Sequence, residues 1–201
     1  SWHALQDAGI VPTDIAGSDT GVFVAGGSYD YRERHVLAGA ADSYSTTGTL
    51  AAFLANRISH TYDLSGPSVT IDTACSGGLT AVSLAVAALR NGDCSMALVG
   101  AANLLSSEFN MIAYRRAGML SPQDQSHVFD ARADGFVRGE GVGWVVLKPL
   151  HQAKADGDPI LAVVRGCSII HGGRGAALTA PNPDAQARLI RRALKEAGLP
   201  P

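Results

Sequence analysis

The amino-acid sequence predicts an α/β fold from its order of short apolar runs. Residues 67–73 alternate in polarity as a strand does, residues 76–90 are small or apolar on every side, and residues 96–101 form another apolar strand. Strand, helix and strand in close succession make a βαβ unit with a right-handed crossover. A content of 23 glycines and only 17% charged residues, against roughly 25% in ordinary domains, also suits closely packed elements.

Three further strands are predicted from apolar, β-branched runs. Residues 20–26 are bounded by glycines, which favours a buried strand. Residues 141–147 and 160–170 are apolar enough to form two adjacent strands later in the chain. All three runs have the length of strands rather than of helices, so they support the α/β class.

Helices are predicted between these strands. Residues 45–60 carry apolar side chains at helical spacing, and residues 76–90 predict a helix that is buried all round. The last helix begins with Asn182 as its cap and Pro183 at its first position.

The composition excludes several classes of protein. The 201 residues carry a formal net charge of −2, so there is no basic surface to hold a nucleic-acid backbone. The longest apolar run, residues 79–89, is far short of the roughly 18 residues that indicate a membrane span. The first residues show no basic region followed by an apolar one, so we expect no signal peptide there. The glycine runs lack the spacing of phosphate-binding loops, which argues against a nucleotide site.

The cysteines and the two ends of the sequence indicate its cellular context. Cys75, Cys94 and Cys167 are odd in number and widely spaced, which argues against a disulfide framework and against a CxxC metal site. For Cys94 and Cys167 we expect structural roles. The sequence starts within one helical pattern and stops just after another, so we expect a piece of a longer, soluble, cytoplasmic protein without a metal site.

Cys75 lies between a predicted strand and a predicted helix, a position that suits a nucleophile. A thiol there faces the positive end of the helix dipole and the unpaired N–H groups of the first turn, which favours a thiolate. The backbone N–H of Cys75 can stabilise an oxyanion, and its small neighbours Ala74, Gly77 and Gly78 leave space for a substrate. The spacing alone is equally compatible with a buried structural cysteine.

Several segments carry a resemblance to a known family. Residues 66–76 read GPSVTIDTACS and residues 129–141 read FDARADGFVRGEG. The first is similar to the active-site segment, and the second to a signature loop, of the β-ketoacyl synthases, which include the ketosynthase domains of polyketide and fatty-acid synthases. The resemblance covers essentially the whole chain in register. Shorter matching segments lie at residues 2–10, 48–49, 56–59, 173–174 and 178–182.

The resemblance implies a thiolase-like fold, with helices layered around a mixed sheet, and one partial ketosynthase domain over residues 1–201, truncated at both ends. It implies an acyltransferase in which Cys75 accepts an acyl chain from a carrier. A malonyl-type extender on an acyl carrier protein then loses CO₂, and the carbanion attacks the thioester in a decarboxylative Claisen condensation. The implied pathway is polyketide or fatty-acid biosynthesis, and residues 178–182 favour a modular polyketide synthase over a discrete enzyme.

The resemblance also gives roles to two further groups of residues. Carboxylates of the signature loop would support the site rather than transfer protons; these are Asp130, Asp134 and Glu140, with Glu140 holding a hydrogen-bond network. Residues 106–120 are similar to the family's segment that lines the acyl tunnel and the dimer contact, although ordinary core packing explains the pattern equally well. The tunnel candidates are Phe109, Met111 and Tyr114.

The two histidines that stabilise the enolate in the family lie in His-Gly-Thr-Gly-Thr and Gly-His segments, neither of which occurs in these 201 residues. We therefore expect no condensation from the 201 residues alone. We assign no catalytic role to the six histidines present, which are His3, His35, His60, His127, His151 and His171.

The implied substrates are carried on the phosphopantetheine arm of an acyl carrier protein, and no cofactor is bound directly. The expected partners are that carrier protein, the acyltransferase and other synthase domains, and a second copy in a homodimer that pairs through the strand before Cys75. No nucleic-acid or membrane partner is expected.

Two other functions remain open from the sequence. A non-condensing relative would transacylate or decarboxylate without making a carbon–carbon bond, which is compatible with the missing histidine segments. A cysteine thioester hydrolase would pair Cys75 with a histidine such as His171 and would release free acid without a malonyl carrier.

The sequence departs from the family at two places. In the family, three serines or similar residues usually follow the nucleophilic cysteine. Here Cys75 is followed by Ser76, Gly77 and Gly78. We expect the glycines to widen the surroundings of the nucleophile and to lower helix propensity. Residues 171–174 read HGGR where an Asn-Gln-Asp-Gly-like turn is common.

Overall fold

The computed structural model describes residues 1–27 and 29–200. At its centre is a sheet of strands Gly21–Ala25 (β1), Ser68–Ile71 (β2), Ala97–Asn103 (β3) and Gly141–Leu147 (β4), in the order β2-β1-β3-β4. β2, β1 and β3 are parallel, and β4 runs antiparallel to β3. The carboxyl ends of the three parallel strands and the amino end of β4 therefore share one side of the sheet, which we call the carboxyl edge. The expected mixed sheet is confirmed.

Helices cover both faces of the sheet. β1 is buried along its whole length, and its side chains alternate between the two faces because successive residues of a strand point to opposite sides. The helices of the described residues are Trp2–Asp7 (α1), Asp30–Leu37 (α2), Ser45–Thr49 (α3), Ala52–Tyr62 (α4), Gly77–Asn91 (α5), Phe109–Arg116 (α6), Leu150–Asp156 (α7) and Pro183–Ala197 (α8), with short 3₁₀ turns at Pro12–Ile15 and Ala74–Ser76.

Two apolar cores result from this alternation. On one face, Phe23 and Ala25 pack with buried alanines of α5. On the other face, Val22 and Val24 pack with Leu5 of α1 and residues of α4. Because alanine is small, α5 lies close to the sheet. The short turn from the end of β2 to the start of α5 is therefore held at the carboxyl edge.

The predicted helix over residues 45–60 is wrong in one respect, because it is two helices. Leu50 has an extended backbone (φ −78°, ψ 130°) that separates α3 from α4. The hydroxyls of Thr47 and Thr49 donate to backbone carbonyls one turn earlier, at 3.1 and 2.7 Å. Such side-chain bonds compete with helix propagation, which is consistent with α3 ending at Thr49.

The predicted strand over residues 160–170 is also wrong, because this segment has no regular secondary structure and belongs to no sheet. The side chains of residues 160–165 are exposed, with Leu161 87% exposed, whereas most of those in residues 166–170 are half-buried. Within the described residues no strand lies alongside it to complete a hydrogen-bond ladder. Apolar side chains predict an extended backbone, but they do not show whether a partner strand exists.

The helix over residues 76–90 was expected to be buried all round, and this is wrong for its outer face. Leu79 is 80% exposed and Leu84 is 40% exposed. The inner face consists of alanines packed on β1 and β3. By contrast, the prediction for the last helix is confirmed, since Asn182 Oδ1 accepts from the Ala185 N–H at 3.2 Å and Pro183 is the first helical residue.

Candidate active site

Cys75 lies at the carboxyl edge, in the turn that connects β2 to α5. β2 ends at Ile71, a 3₁₀ turn spans Ala74–Ser76, and α5 follows at once. In open sheets with parallel strands, ligands bind outside the carboxyl ends of the strands. The cysteine is therefore at the position where this type of sheet places its chemistry.

The backbone of this turn is bent sharply at Ala74. Ala74 has a φ of +50°, in the left-handed region, which costs a non-glycine residue about 1 to 2 kcal/mol. The Asp72 carboxylate accepts from the Ala74 N–H at 3.0 Å, and the Ser76 hydroxyl donates to the Thr73 carbonyl at 2.8 Å. These bonds hold the strained turn in place, and strain of this kind is often found at functional sites.

The thiol of Cys75 is accessible. Cys75 is exposed, Cys167 is half-buried and Cys94 is only 2% exposed. Burial raises the pKa of the Cys94 thiol, which disfavours a thiolate there. In the part of the chain that the structure describes, the Cys75 N–H donates to no protein acceptor. That N–H is free to bind the oxygen of an acyl group on the sulfur.

The histidines do not pair with Cys75 in the described residues. His171 Nδ1 accepts from the Gly173 N–H at 2.9 Å, within the loop that precedes α8. His35 Nε2 lies 2.7 Å from the Ser45 hydroxyl, which joins α2 to α3. A thioester hydrolase needs a base within hydrogen-bond reach of the nucleophile, so the described geometry does not favour that alternative.

The expectation that Gly77 and Gly78 widen the space around the nucleophile is wrong. A Cβ atom on Gly77 would lie 3.1 Å from the Cβ of Ala25, and one on Gly78 would lie 3.4 Å from the Cβ of Ala101. Both positions face the sheet. The glycines therefore let the first turn of α5 approach β1 and β3.

The signature loop over residues 129–141 places its three carboxylates differently. Asp130 pairs with Arg132, only two residues away, and this side-chain bond lowers the pKa of the Asp130 carboxyl. Asp134 is exposed and forms no hydrogen bond or ion pair with the described residues. Glu140 Oε1 accepts from the Leu105 N–H at 2.7 Å. Of the three, Glu140 is the one that reaches another segment of the carboxyl edge.

The acyl-tunnel candidates lie on α6, which follows β3. Phe109 is exposed at the first residue of α6, and Met111 is half-buried. Tyr114 packs edge-on against Phe136 with ring centroids 6.0 Å apart, and the guanidinium of Arg138 lies 5.1 Å from the same ring. α6 is therefore in contact with the signature loop, and its apolar start is open.

Sequence reasoning missed two aspartates at the carboxyl edge. Asp72 holds the turn before Cys75, and Asp30, the first residue of α2, is fully buried. Asp30 follows the buried strand β1 by five positions, and an acidic residue just after such a strand is a signal that could have identified it. Within residues 1–27 and 29–200, no helix is long and apolar enough to cross a membrane, and no three acidic, histidine or cysteine residues form a potential metal site.

Two family models match the chain. The model of the β-ketoacyl synthase N-terminal domain matches residues 1–153, and that of the C-terminal domain matches residues 161–201. Polyketide synthase ThaG from Burkholderia thailandensis is 48% identical over 202 residues, which cover 100% of this chain and 4% of that protein. Lovastatin diketide synthase mokB from Monascus pilosus is 44% identical, again over 100% of this chain and 8% of that protein.

Solved structures show the same relationship. The oxazolomycin ketosynthase domain OzmH KS7 from Streptomyces albus JA3453 superposes with a TM-score of 0.92 at 41% identity, over 100% of this chain and 36% of that one. The ketosynthase from module 6 of the bacillaene synthase from Bacillus subtilis 168 gives a TM-score of 0.88 at 36% identity, over 98% of this chain and 34% of that one.

The chain therefore belongs to the β-ketoacyl synthase family, and its fold is that of a ketosynthase domain. Within the family, the relatives named above are polyketide synthases, whose ketosynthase domains are enzymes of the acyltransferase type. The chain spans only a small part of the curated relatives, 4% and 8% of the two named.

Proposed function

We propose that Cys75 is the acyl-accepting nucleophile of a ketosynthase that extends polyketide chains by decarboxylative condensation. The observation that carries this proposal is the strained turn between β2 and α5. It presents an exposed thiol, and a backbone N–H with no acceptor among the described residues, at the carboxyl edge of the sheet. We propose that residues 1–201 are part of a single ketosynthase domain.

The chemistry proceeds in two stages. The thiolate of Cys75 attacks the carbonyl carbon of an acyl thioester, the N–H of Cys75 binds the oxyanion, and the carrier thiol leaves. A malonyl-type thioester then loses CO₂. The resulting carbanion attacks the acyl carbon on Cys75, the bond from that carbon to Sγ breaks, and the thiolate is regenerated beside a β-ketoacyl thioester. Stabilising the enolate requires donors beyond those that the described residues supply around Cys75.

The supporting residues have separate parts in this proposal. Phe109, Met111 and Tyr114 line the path of the acyl chain from Cys75. Among the loop carboxylates, Glu140 acts by fixing the Leu105 backbone, whereas Asp130 holds its own loop through Arg132. Asp134 belongs to this supporting loop by its position alone.

The partners follow from the same proposal. Substrates arrive on the phosphopantetheine arm of an acyl carrier protein in the cytoplasm, and acyltransferase and other synthase domains supply the extender unit. The second copy of a homodimer pairs with β2, which is an edge strand of the described sheet. An edge strand offers unpaired N–H and C=O groups to another chain.

The test is a condensation assay on the full-length enzyme with an acyl thioester and a malonyl carrier protein. We expect a β-ketoacyl product from the wild type. Cys75→Gln should release CO₂ from the malonyl thioester without forming that product, because its amide cannot accept an acyl group. A β-ketoacyl product from Cys75→Gln would contradict the assignment. Acyl transfer without any product in the wild type would instead indicate a non-condensing relative.

A further inference from the structure

Asp30 is a buried carboxylate that the proposed chemistry does not use. Its side chain is 0% exposed at the start of α2. Oδ2 accepts from the backbone N–H groups of Ser106 and Ser107, each at 3.1 Å, and Oδ1 accepts from Asn110 Nδ2 at 2.9 Å. Among the described residues no lysine, arginine or histidine forms an ion pair with it, so its bonding partners are these three N–H donors.

The bonds of Asp30 are part of a larger clamp on the connection between β3 and α6. Glu140 accepts from the Leu105 N–H, next to the two N–H groups that Asp30 holds. Arg34, also on α2, donates to the Ser106 carbonyl at 3.3 Å. Three consecutive backbone N–H groups are thus fixed by two carboxylates from different segments. Asp30 is the one that also reaches α6 itself, through Asn110.

The clamped connection leaves the same edge of the sheet as the turn that holds the candidate nucleophile. Neighbouring strands of a sheet are about 4.8 Å apart, so β2 and β3, with β1 between them, are about 10 Å apart. Both strands end at the carboxyl edge, where β2 leads to Cys75 and β3 leads to α6. At the start of α6, Phe109 is 66% exposed. From this separation we expect that only a long acyl group on Cys75 reaches the apolar start of α6.

We propose that Asp30 is a positioning residue that sets the acyl-chain length the site accepts. It does so by fixing α6, through the backbone of Ser106 and Ser107 and the side chain of Asn110. The proposal rests on the proposed function, because it requires that Cys75 carries the acyl group. Since Asp30 acts at a distance from Cys75, its loss should change the transfer of long acyl groups and leave short ones nearly unaffected.

The experiment compares transfer of acetyl and decanoyl groups, supplied as N-acetylcysteamine thioesters, to Cys75 of the full-length enzyme. Asp30→Asn puts an amide N–H₂ opposite Asn110 Nδ2, which loses one bond, or opposite the Ser106 and Ser107 N–H groups, which loses two. A misplacement of about 1 Å can cost on the order of 100-fold in rate, and we expect kcat/KM for decanoyl to fall about tenfold more than for acetyl. Asp7→Asn, on an exposed position of α1, is the control for loss of a carboxylate.

The double variant Asp30→Asn with Asn110→Asp reverses the polarity of the lost bond, so it should restore most of the decanoyl transfer. A variant that is merely less stable would not regain selectivity in this way. Asn110→Ala removes only the contact to α6, and it should shift selectivity in the same direction as Asp30→Asn. It serves as the test if Asp30→Asn does not fold.

Equal losses for both acyl groups, or a double variant no better than Asp30→Asn, would overturn the proposal. An unchanged ratio in Asn110→Ala would do the same. Failure of the proposed function is a different result, because the wild type would then transfer neither acyl group to Cys75. Hydrogen exchange at the Ser106 and Ser107 amides, which should become faster in Asp30→Asn, checks the clamp independently of activity.

Discussion

At the scale of single residues, the site depends on how the chain turns from β2 into α5. Ala74 adopts a left-handed backbone that Asp72 stabilises by accepting its N–H. Gly77 lies next to Ala25 on the sheet, so no side chain separates the start of α5 from β1. These contacts fix the position of Cys75 in an exposed turn, whose two ends at Ile71 and Gly77 are buried.

The two glycines after Ser76 should respond differently to alanine. Gly78→Ala should raise the free energy of unfolding by about 0.4 to 1 kcal/mol, because the unfolded chain loses freedom and the new Cβ meets Ala101 at an ordinary distance. Gly77→Ala should be less stable than Gly78→Ala, because its Cβ would lie 3.1 Å from that of Ala25. Thermal unfolding ranks the stabilities of the two variants. A Gly77→Ala variant as stable as Gly78→Ala would contradict the close contact with Ala25. Neither substitution should alter acyl selectivity, since both face the sheet.

At the scale of elements, an ion-pair network joins the end of β4 to the end of α7. Lys148, which follows β4, pairs with Asp156 at the end of α7 and with Asp158 just beyond it. The bond from Lys148 lowers the pKa of the Asp156 carboxyl. The pKa of Lys148 is raised by the two aspartates, although burial opposes this.

This network predicts how stability depends on pH. The lowered pKa of Asp156 contributes stability above the ordinary carboxyl range, and this is lost as the pH falls through the lowered value. The raised pKa of Lys148 contributes stability that is lost as the pH rises through it. Lys148→Met should therefore lower the melting temperature near neutral pH and make little difference in strong acid.

The control for this experiment is Lys154→Met on the exposed side of α7. Lys154 forms no ion pair with the described residues, so its loss should leave the pH profile of the melting temperature unchanged. A Lys148→Met profile parallel to that of the wild type at every pH would show that the network contributes nothing.

Elements and site were predictable from the sequence to different degrees. Local patterns predicted β4, the cap of α8 and the position of Cys75 between β2 and α5, because each depends on residues that are close in sequence. Asp30 was not predictable in this way, since its partners are 76 to 80 positions away. The strand prediction for residues 160–170 was wrong for a related reason. A strand requires a neighbouring strand, and the side chains of the segment itself do not specify one.

At the scale of the whole molecule, β2 leaves one side of the described sheet open. Val22 N–H donates to the Pro67 carbonyl and Gly26 N–H donates to the Ile71 carbonyl. Because bonding groups alternate along a strand, the N–H of Thr70 faces away from β1. In the homodimer that we propose, this N–H is available to the second copy.

A proline at position 70 tests the dimer through that N–H. Thr70→Pro removes the outward donor, and proline is tolerated on an edge strand where the N–H faces outward. Thr70→Val is the matched control, because both variants lose the hydroxyl that accepts from the Ala55 N–H. Light scattering should show a monomer for Thr70→Pro and a dimer for Thr70→Val, and equal masses for the two would rule out pairing at this position.

The central claim, that Cys75 accepts the acyl group, is tested most directly by peptide mass spectrometry after incubation with an acyl thioester. We predict one acyl group on the peptide that contains Cys75. It should be absent from Cys75→Ala and present in Cys167→Ala, whose missing thiol is half-buried. An acyl group that persists on the Cys75→Ala protein, or that maps to another residue of the wild type, would contradict the account.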